Sequence, residues 1–297
     1  MIDPSVAGLL RTKYTIRVFY FSALALLVCT GAAAYVLSIE QPQGVFSQIL
    51  LSALTSLAGS IIVVMFVYGV WIILTPPELR NAIVEPVRAG EVGEIIDGLT
   101  KGAKEYWFFG RSGNYFRAVV LPRLDEESRR ARRSAHIRVV IPNAWRGANS
   151  TTYATRISQL GEKADDNTLP ISVLATILAA IEKTSANPEL LIEIGLTPTV
   201  PVVRFDLSDR GAILTRDEKS LPAVFCNNGN PFFDMFRSIV DNELLLSNRV
   251  SWAPRTKLSD LKSPTDIADA IKGLPPIDQF ILDEALELVK TQKHRYA

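Results

Sequence analysis

Charge disappears from this chain twice near its start. Residues 18–37 carry no charged side chain, nor do residues 41–77, and 46–74 is strongly apolar. Only Ser38, Ile39 and Glu40 separate the two runs, and Glu40 is the sole charge between them. Wound as a helix, each run is long enough to cross a hydrocarbon core about 30 Å thick. The pattern predicts a transmembrane hairpin over 18–75. A short segment, 1–17, precedes it. A connecting helix or linker (76–100), an α/β domain with a mixed sheet (101–250) and a helical extension (251–297) follow.

Arg11, Lys13 and Arg17 precede the first run, and Arg80 and Arg88 follow the second. Lys and Arg near membrane ends stay cytoplasmic, so both termini and the C-terminal domain are expected on the cytoplasmic side of the inner membrane. A competing reading makes the first run a secretory signal with Ala32-Ala33-Ala34 at its cleavage site. The 20-residue uncharged run is long for a signal core, and the second run would still place the domain inside. Two rows of small residues, Ala25-Cys29-Ala33 and Ser52-Ser56-Ser60, are packing faces. They either join the two spans of one chain, the favoured reading, or drive self-association. No Asp, Glu, Lys, Arg or His lies inside either run, which argues against an ion or proton path.

Beyond Pro76-Pro77 the pattern shortens. Residues 78–98 read as a connecting helix with a turn at Ala89-Gly90. Residues 105–109 (EYWFF) make a buried strand, followed by the turn Gly110-Arg111-Ser112-Gly113-Asn114. A helix over 115–133 with a break at Pro122 comes next, then a strand over 136–141. Strand, glycine turn, helix, strand is a βαβ unit. Helices are expected at 150–163 and 170–183, and the second has an apolar face through Ile171, Leu174, Ile177, Leu178 and Ile181. Strands are expected at 189–196, 202–207, 211–215 and 221–225. Helices from Asn230-Pro231 to about 242, at 264–272 and at 276–290 finish the chain.

From Pro76 onward there are 29 Lys+Arg and 29 Asp+Glu, a balance unlike that of generic nucleic-acid-binding domains. Two cysteines, Cys29 and Cys226, and two histidines, His136 and His294, supply neither a disulfide framework nor a zinc set, and no cofactor signature appears. The foremost candidate site is the turn Gly110, Arg111, Ser112, Gly113, Asn114, with Arg117. A glycine turn opening a helix exposes backbone N–H groups that attract phosphate. It is neither a P-loop, which needs a Lys after its last Gly, nor a G-x-S-x-G elbow. A purely structural turn competes with this reading. Arg204 and Asp206, at the end of an apolar strand, either face a cleft or form a local ion pair. Residues 226–230 (CNNGN) read as a turn and helix cap, or as donors to a base or ribose. The arginines at 123, 129, 130, 132, 133 and 138 fit anionic headgroups or a nucleotide phosphate. Asp125 and Glu126, four residues before Arg129 and Arg130, favour a salt-bridged face instead.

The stretches EYWFFGRSGNYFRAVVLPRL with HIRVVIPN, and VPVVRFDLSDRGAILT with LPAVFCNNGNPFFDMF, give an order of elements that resembles the phospholipase D-like fold over roughly residues 100–245. The resemblance is to the degenerate form found in bacterial signalling and defence proteins. In place of that family's H-x-K motif this chain reads Arg204-Phe205-Asp206. Phospholipase D chemistry needs two histidines, one as nucleophile and one as general acid, and this domain has one usable histidine. The resemblance therefore implies a fold kept for binding a phosphate-containing ligand or a protein. Together with the hairpin, it implies a non-enzymatic membrane signalling or effector protein of the antiphage or stress-response kind, which senses a phosphate-containing ligand such as a nucleotide, or a protein, and acts through the hairpin. A membrane-tethered phosphodiester hydrolase and a membrane adaptor for a partner protein are the alternatives. The lipid bilayer and a second copy of the chain are the other expected partners.

Overall fold

The computed structural model describes residues 13–39, 45–74, 84–216, 218 and 221–291. The loop around Glu40, the Pro76-Pro77 stop and His294 lie outside them. The chain divides into two units, Met1–Arg80 and Asn81–Ala297.

The first unit is a pair of long helices, α1 (Lys13–Ile39) and α2 (Val45–Leu74). Both contain windows long and apolar enough to cross a membrane, and both windows are almost wholly exposed. The helices meet along one seam. On α1 the less exposed positions include Tyr20, Ala23, Leu27, Thr30, Ala34 and Leu37. On α2 they include Leu51, Leu54, Ala58, Ile61, Met65 and Tyr68. Both sets step by three and four residues, the spacing that keeps a helix pair in register. At one end Phe19 and Tyr68 rings stand 5.0 Å apart. Thr30, Thr55 and Ser60 hydroxyls donate to carbonyls one turn earlier in their own helices, so these polar groups are satisfied without solvent.

This seam corrects the favoured reading of the small-residue rows. Ala25, Cys29, Ala33, Ser52, Ser56 and Ser60 are all exposed. The a/d-like spacing puts larger residues in the contact and turns the every-fourth-residue rows outward.

The second unit is built on a nine-stranded mixed sheet. Its strands are β1 (Glu85–Val87), β2 (Glu105–Phe109), β3 (Ala135–Pro142), β4 (Leu190–Thr197), β5 (Val203–Ser208), β6 (Gly211–Arg216), β7 (Ala223–Asn227), β8 (Asn248–Trp252) and β9 (Ile271–Lys272). The order across the sheet is β1-β7-β6-β5-β2-β3-β4-β8-β9. β2, β3 and β4 are parallel, and every other pairing is antiparallel. The parallel trio is connected by helices, as parallel neighbours must be. α4 (Leu121–Ala131) joins β2 to β3, and α5 (Gly147–Gln159) and α6 (Thr168–Ala186) join β3 to β4.

Residues 85–100, read from sequence as a connecting helix, instead add β1 and the helix α3 (Val92–Thr100) to this unit. Glu85-Pro86-Val87 pairs with β7, and Ile96 and Leu99 are buried. The C-terminal stretch likewise holds strand as well as helix. β8 and β9 extend the sheet, while α8 (Pro264–Ala270) and α9 (Gln279–Thr291) bury Ile267, Leu282 and Ala285 in the main core.

The two faces of the sheet are covered unequally. Side chains from α3, α4, α5, α6, α8 and α9 form one large core with Tyr106, Phe108, Ile137, Val139 and Ile194. At its centre α6 is apolar enough to be mistaken for a membrane span, yet two-thirds of its apolar window is buried. On the other face, among the described residues, one helix contributes to the core. This is α7 (Pro231–Leu246), whose Phe233, Phe236, Val240 and Leu244 pack on Trp107, Phe109, Val140, Phe205 and Leu207.

Candidate functional site

The sequence places polar residues where β2 ends and β5 begins, and antiparallel pairing brings those ends together. Phe109 stands opposite Phe205, and Phe108 opposite Asp206. Alternation then sorts the side chains. Phe205 and Leu207 go to the α7 face. Arg204 and Asp206 go to the other, beside Tyr106 and Phe108.

A cavity of about 280 Å³ opens there. Arg111, Ser112, Gly113 and Asn114 line one side. Arg204 and Thr215 come from β5 and β6, and Val92, Gly93 and Ile96 from α3. Five of the eight residues singled out from sequence thus converge. Asp206 is fully buried beneath Arg204, with Oδ2 at 2.5 Å from Arg204 Nε. Tyr106 donates its hydroxyl to Asp206 Oδ1 at 2.8 Å. The guanidinium also lies 4.5 Å over the ring of Tyr115 and 5.4 Å from that of Phe108. Burial pulls the Arg204 pKa down, but the Asp206 carboxylate outweighs it and holds the group charged, above its ordinary value. Burial, reinforced by Asp206, drives the Tyr106 phenol well above its usual range, so it stays a neutral donor.

The result is a fixed cation whose position is set from below and from two ring faces. Arg204 Nη2 and Asn114 Oδ1 are buried and have no hydrogen-bond partner among the described residues. Buried polar atoms left this way at a cavity wall are suited to a ligand.

The glycine turn is structural as well as functional in form. Gly113 has φ +73°, and a Cβ there would lie 2.6 Å from Thr176 Oγ1 on α6. Thr176 donates to the Ser112 carbonyl at 3.1 Å, clamping the turn to the helix. Gly110 lies behind the wall, where a Cβ would meet the Phe108 ring at 2.6 Å. Its N–H donates to the Val140 carbonyl. The helix after the turn opens at Asn114 and widens to π-helical geometry over Phe116–Val120, just before Pro122. Proline cannot donate the normal α bond, and the wider turn accommodates that loss.

Arg117 is carried away from the cavity. It is buried and lines a small crevice beside Pro122, Ala179, Lys183 and Leu288. Burial lowers its pKa to about 10. His136 is on the opposite face of the sheet, at β3, with Nε2 2.5 Å from Glu193 Oε1. No histidine lines the cavity, and no cluster of three or more metal-ligating side chains occurs among the described residues. Asn230 caps α7 by accepting from the Phe232 amide at 2.9 Å. Arg129 pairs with Asp125 at 2.8 Å and Arg130 with Glu127 at 2.7 Å.

Sequence reasoning missed Tyr115 and Phe108 as the platform for Arg204, and Arg216, Glu218 and Leu221 at the rim. Tyr106 and Phe108 alternate within the EYWFF run, a visible signal, but only the β2–β5 register shows what they face. A larger cleft of about 740 Å³ opens where β8 turns from β4 towards β9. It is mainly apolar, and its Glu193 and Arg249 already pair at 2.6 Å, so the smaller cavity is the stronger candidate.

No family model matches this chain, and no curated protein matches it. Among solved structures, TrmBL2, described as an archaeal chromatin protein with a novel mode of DNA binding, aligns at 6% identity with a TM-score of 0.30. The alignment covers 66% of this chain, which spans 64% of that protein's length. A likeness this distant carries no argument about fold or function.

Proposed function

We propose that this protein is a membrane-anchored sensor whose α/β domain binds a small phosphate-bearing ligand, with a nucleotide as the leading class. The carrying observation is Arg204, a cavity-lining cation held by Asp206 and two aromatic rings, whose buried Nη2 has no hydrogen-bond partner among the described residues. Arg111 and the amides at the start of a helix stand on the same cavity, and both features favour an anion. A volume of 280 Å³ is at the small end of ligand sites, which suits one phosphorylated nucleoside better than a linked pair. Apolar Val92, Ile96 and Leu221 offer a surface for a base.

The hairpin is the anchor in this reading, with the domain on the cytoplasmic side. Kinship with degenerate phospholipase D-like domains fits the order of elements and the loss of H-x-K at Arg204-Phe205-Asp206. Binding is favoured over hydrolysis because, among the described residues, the cavity wall has no histidine to act as nucleophile or acid.

The test is calorimetric titration of full-length protein in detergent micelles with inorganic phosphate and nucleoside mono-, di- and triphosphates. The expected result is saturable binding of at least one of these. Arg204→Met and Arg111→Ala should each weaken it more than tenfold, and Arg117→Ala should leave it unchanged. If none binds, or binding survives both cavity substitutions, the proposal fails. Turnover of a phosphodiester by the same preparation would replace it with the hydrolase reading.

A further inference from the structure

α7 is amphipathic twice over. Its inner face packs on the sheet through Phe233, Phe236, Val240 and Leu244. Its outer face is also apolar: Phe232, Met235, Ile239, Leu245 and Leu246 are 38%, 45%, 37%, 74% and 75% exposed. Phe232, Met235, Ile239, Asn242 and Leu246 follow steps of three, four, three and four residues. That is the a/d register of a two-helix seam. Four of its five positions are apolar, one is an amide, and none is charged.

We propose that a second copy of this chain covers this face, the two α7 helices packing parallel and in register about a two-fold axis. Three observations choose that occupant. First, the polar position fits itself. In a parallel pair Asn242 meets Asn242 of the other copy, and the two amides can hydrogen-bond each other. In an antiparallel pair Asn242 would face apolar side chains. Second, charge disfavours a lipid surface. The remaining charges on α7 are Asp234, Arg237, Asp241 and Glu243, a net negative set, whereas helices that lie on membranes carry Lys and Arg beside their apolar face. Third, the area suffices. The four apolar seam side chains, with Leu245 flanking them at the g position, expose on the order of 500 Å² per copy, so complete cover of all five on both copies reaches roughly 1,000 Å², the lower bound for a specific interface. The surface is isologous, as a two-fold dimer requires.

The test uses full-length protein with Cys29→Ser, leaving Cys226, which is buried. Single cysteines are introduced at the seam (Met235→Cys, Ile239→Cys, Leu246→Cys) or away from it (Asp234→Cys on the same helix, Gln159→Cys on α5). Each variant is reconstituted at high lipid-to-protein ratio, oxidised with copper phenanthroline and read on a non-reducing gel. Tryptophan fluorescence confirms that each is folded. All three seam variants should give disulfide-linked dimer at least tenfold above both controls. Adding Ile239→Lys should cut the Leu246→Cys product at least tenfold. No seam product above controls overturns the proposal, as does linkage at Ile239→Cys alone, the mark of antiparallel packing. A polarity-sensitive dye at Met235→Cys that reports lipid contact without any cross-linking assigns the face to the bilayer and also overturns it.

Discussion

Replacing Asp206 with Asn removes one charge and almost no volume, so it isolates what that charge does for the cavity. The carboxylate is fully buried, 2.5 Å from Arg204 Nε, and accepts from Tyr106 at 2.8 Å. Asn keeps an acceptor for Tyr106 but leaves the Arg204 guanidinium, whose side chain is 21% exposed, without its counter-charge. Removing one partner of a fully buried ion pair costs about 3–5 kcal/mol. Arg204 keeps some solvent, so about 2–4 kcal/mol is expected here. Tyr106→Phe, which breaks a single hydrogen bond, should cost about 1–2 kcal/mol. The pair Arg204→Met and Asp206→Leu removes both charges together and should cost less than the sum of its single changes by about 2 kcal/mol, because neither variant half is left unpaired. Urea unfolding of full-length protein in micelles, followed through buried Trp107, measures all five variants, the two single changes of the pair included. A loss below about 1 kcal/mol for Asp206→Asn, or additivity within about 0.5 kcal/mol for the pair, would refute the argument that Asp206 holds Arg204 in place.

Three further outcomes are expected. Gly113→Ala forces a side chain into positive φ and against Thr176. It should cost about 2–4 kcal/mol by the sum of backbone strain and overpacking, and adding Thr176→Ala should restore the packing part only. Arg117→Met should leave ligand binding intact, because Arg117 lines a separate crevice and burial there holds its pKa down at about 10. The sign also sets a pH trend: the unfolded chain binds this proton more tightly, so the wild-type protein, unlike Arg117→Met, gains stability as pH rises above about 10. Glu193 is pushed up by burial but pulled further down by Arg249 and His136, for a net lowered pKa. Its contribution is therefore present above the unfolded value of about 4.3 and lost as pH falls through the lower folded value. Glu193 is 40% exposed, so thermal melts from pH 6 to 3 should separate wild type from Glu193→Gln by no more than about 1 kcal/mol.

What could be read in advance follows from the range of the interactions involved. The apolar runs that become α1, α2 and α6 are local patterns, and so are the EYWFF strand and the glycine turn. The core helix α6 could be told from the hairpin in advance, because its apolar positions recur at helical spacing and Glu182 and Lys183 break its run, whereas the two spans carry no charge. Arg204 and Asp206 could be placed at a strand end, but their role depends on the register that sets β5 against β2, a pairing across about a hundred residues. Arg117 misled because the cavity sits over the start of its helix. One turn further in, a side chain has already risen past the mouth and meets α6 and α9. Residues 85–100 misled because a three-residue edge strand is too short to show alternation. The outer stripe of α7 was legible as spacing. Its exposure was not, since an inner apolar face accounts for the sheet contact by itself.

The cavity and the α7 face are on opposite sides of the sheet, yet one strand serves both. In β5, Arg204 and Asp206 belong to the cavity side, while Phe205 and Leu207 lie under α7, with the Phe205 and Phe236 rings 5.1 Å apart. β2 is divided in the same way, Tyr106 and Phe108 against Trp107 and Phe109. Successive residues of a strand share one backbone, so a substitution that shifts β5 beneath the cavity is felt at Phe205 and, through its ring contact with Phe236, at α7, because close packing transmits strain rather than absorbing it.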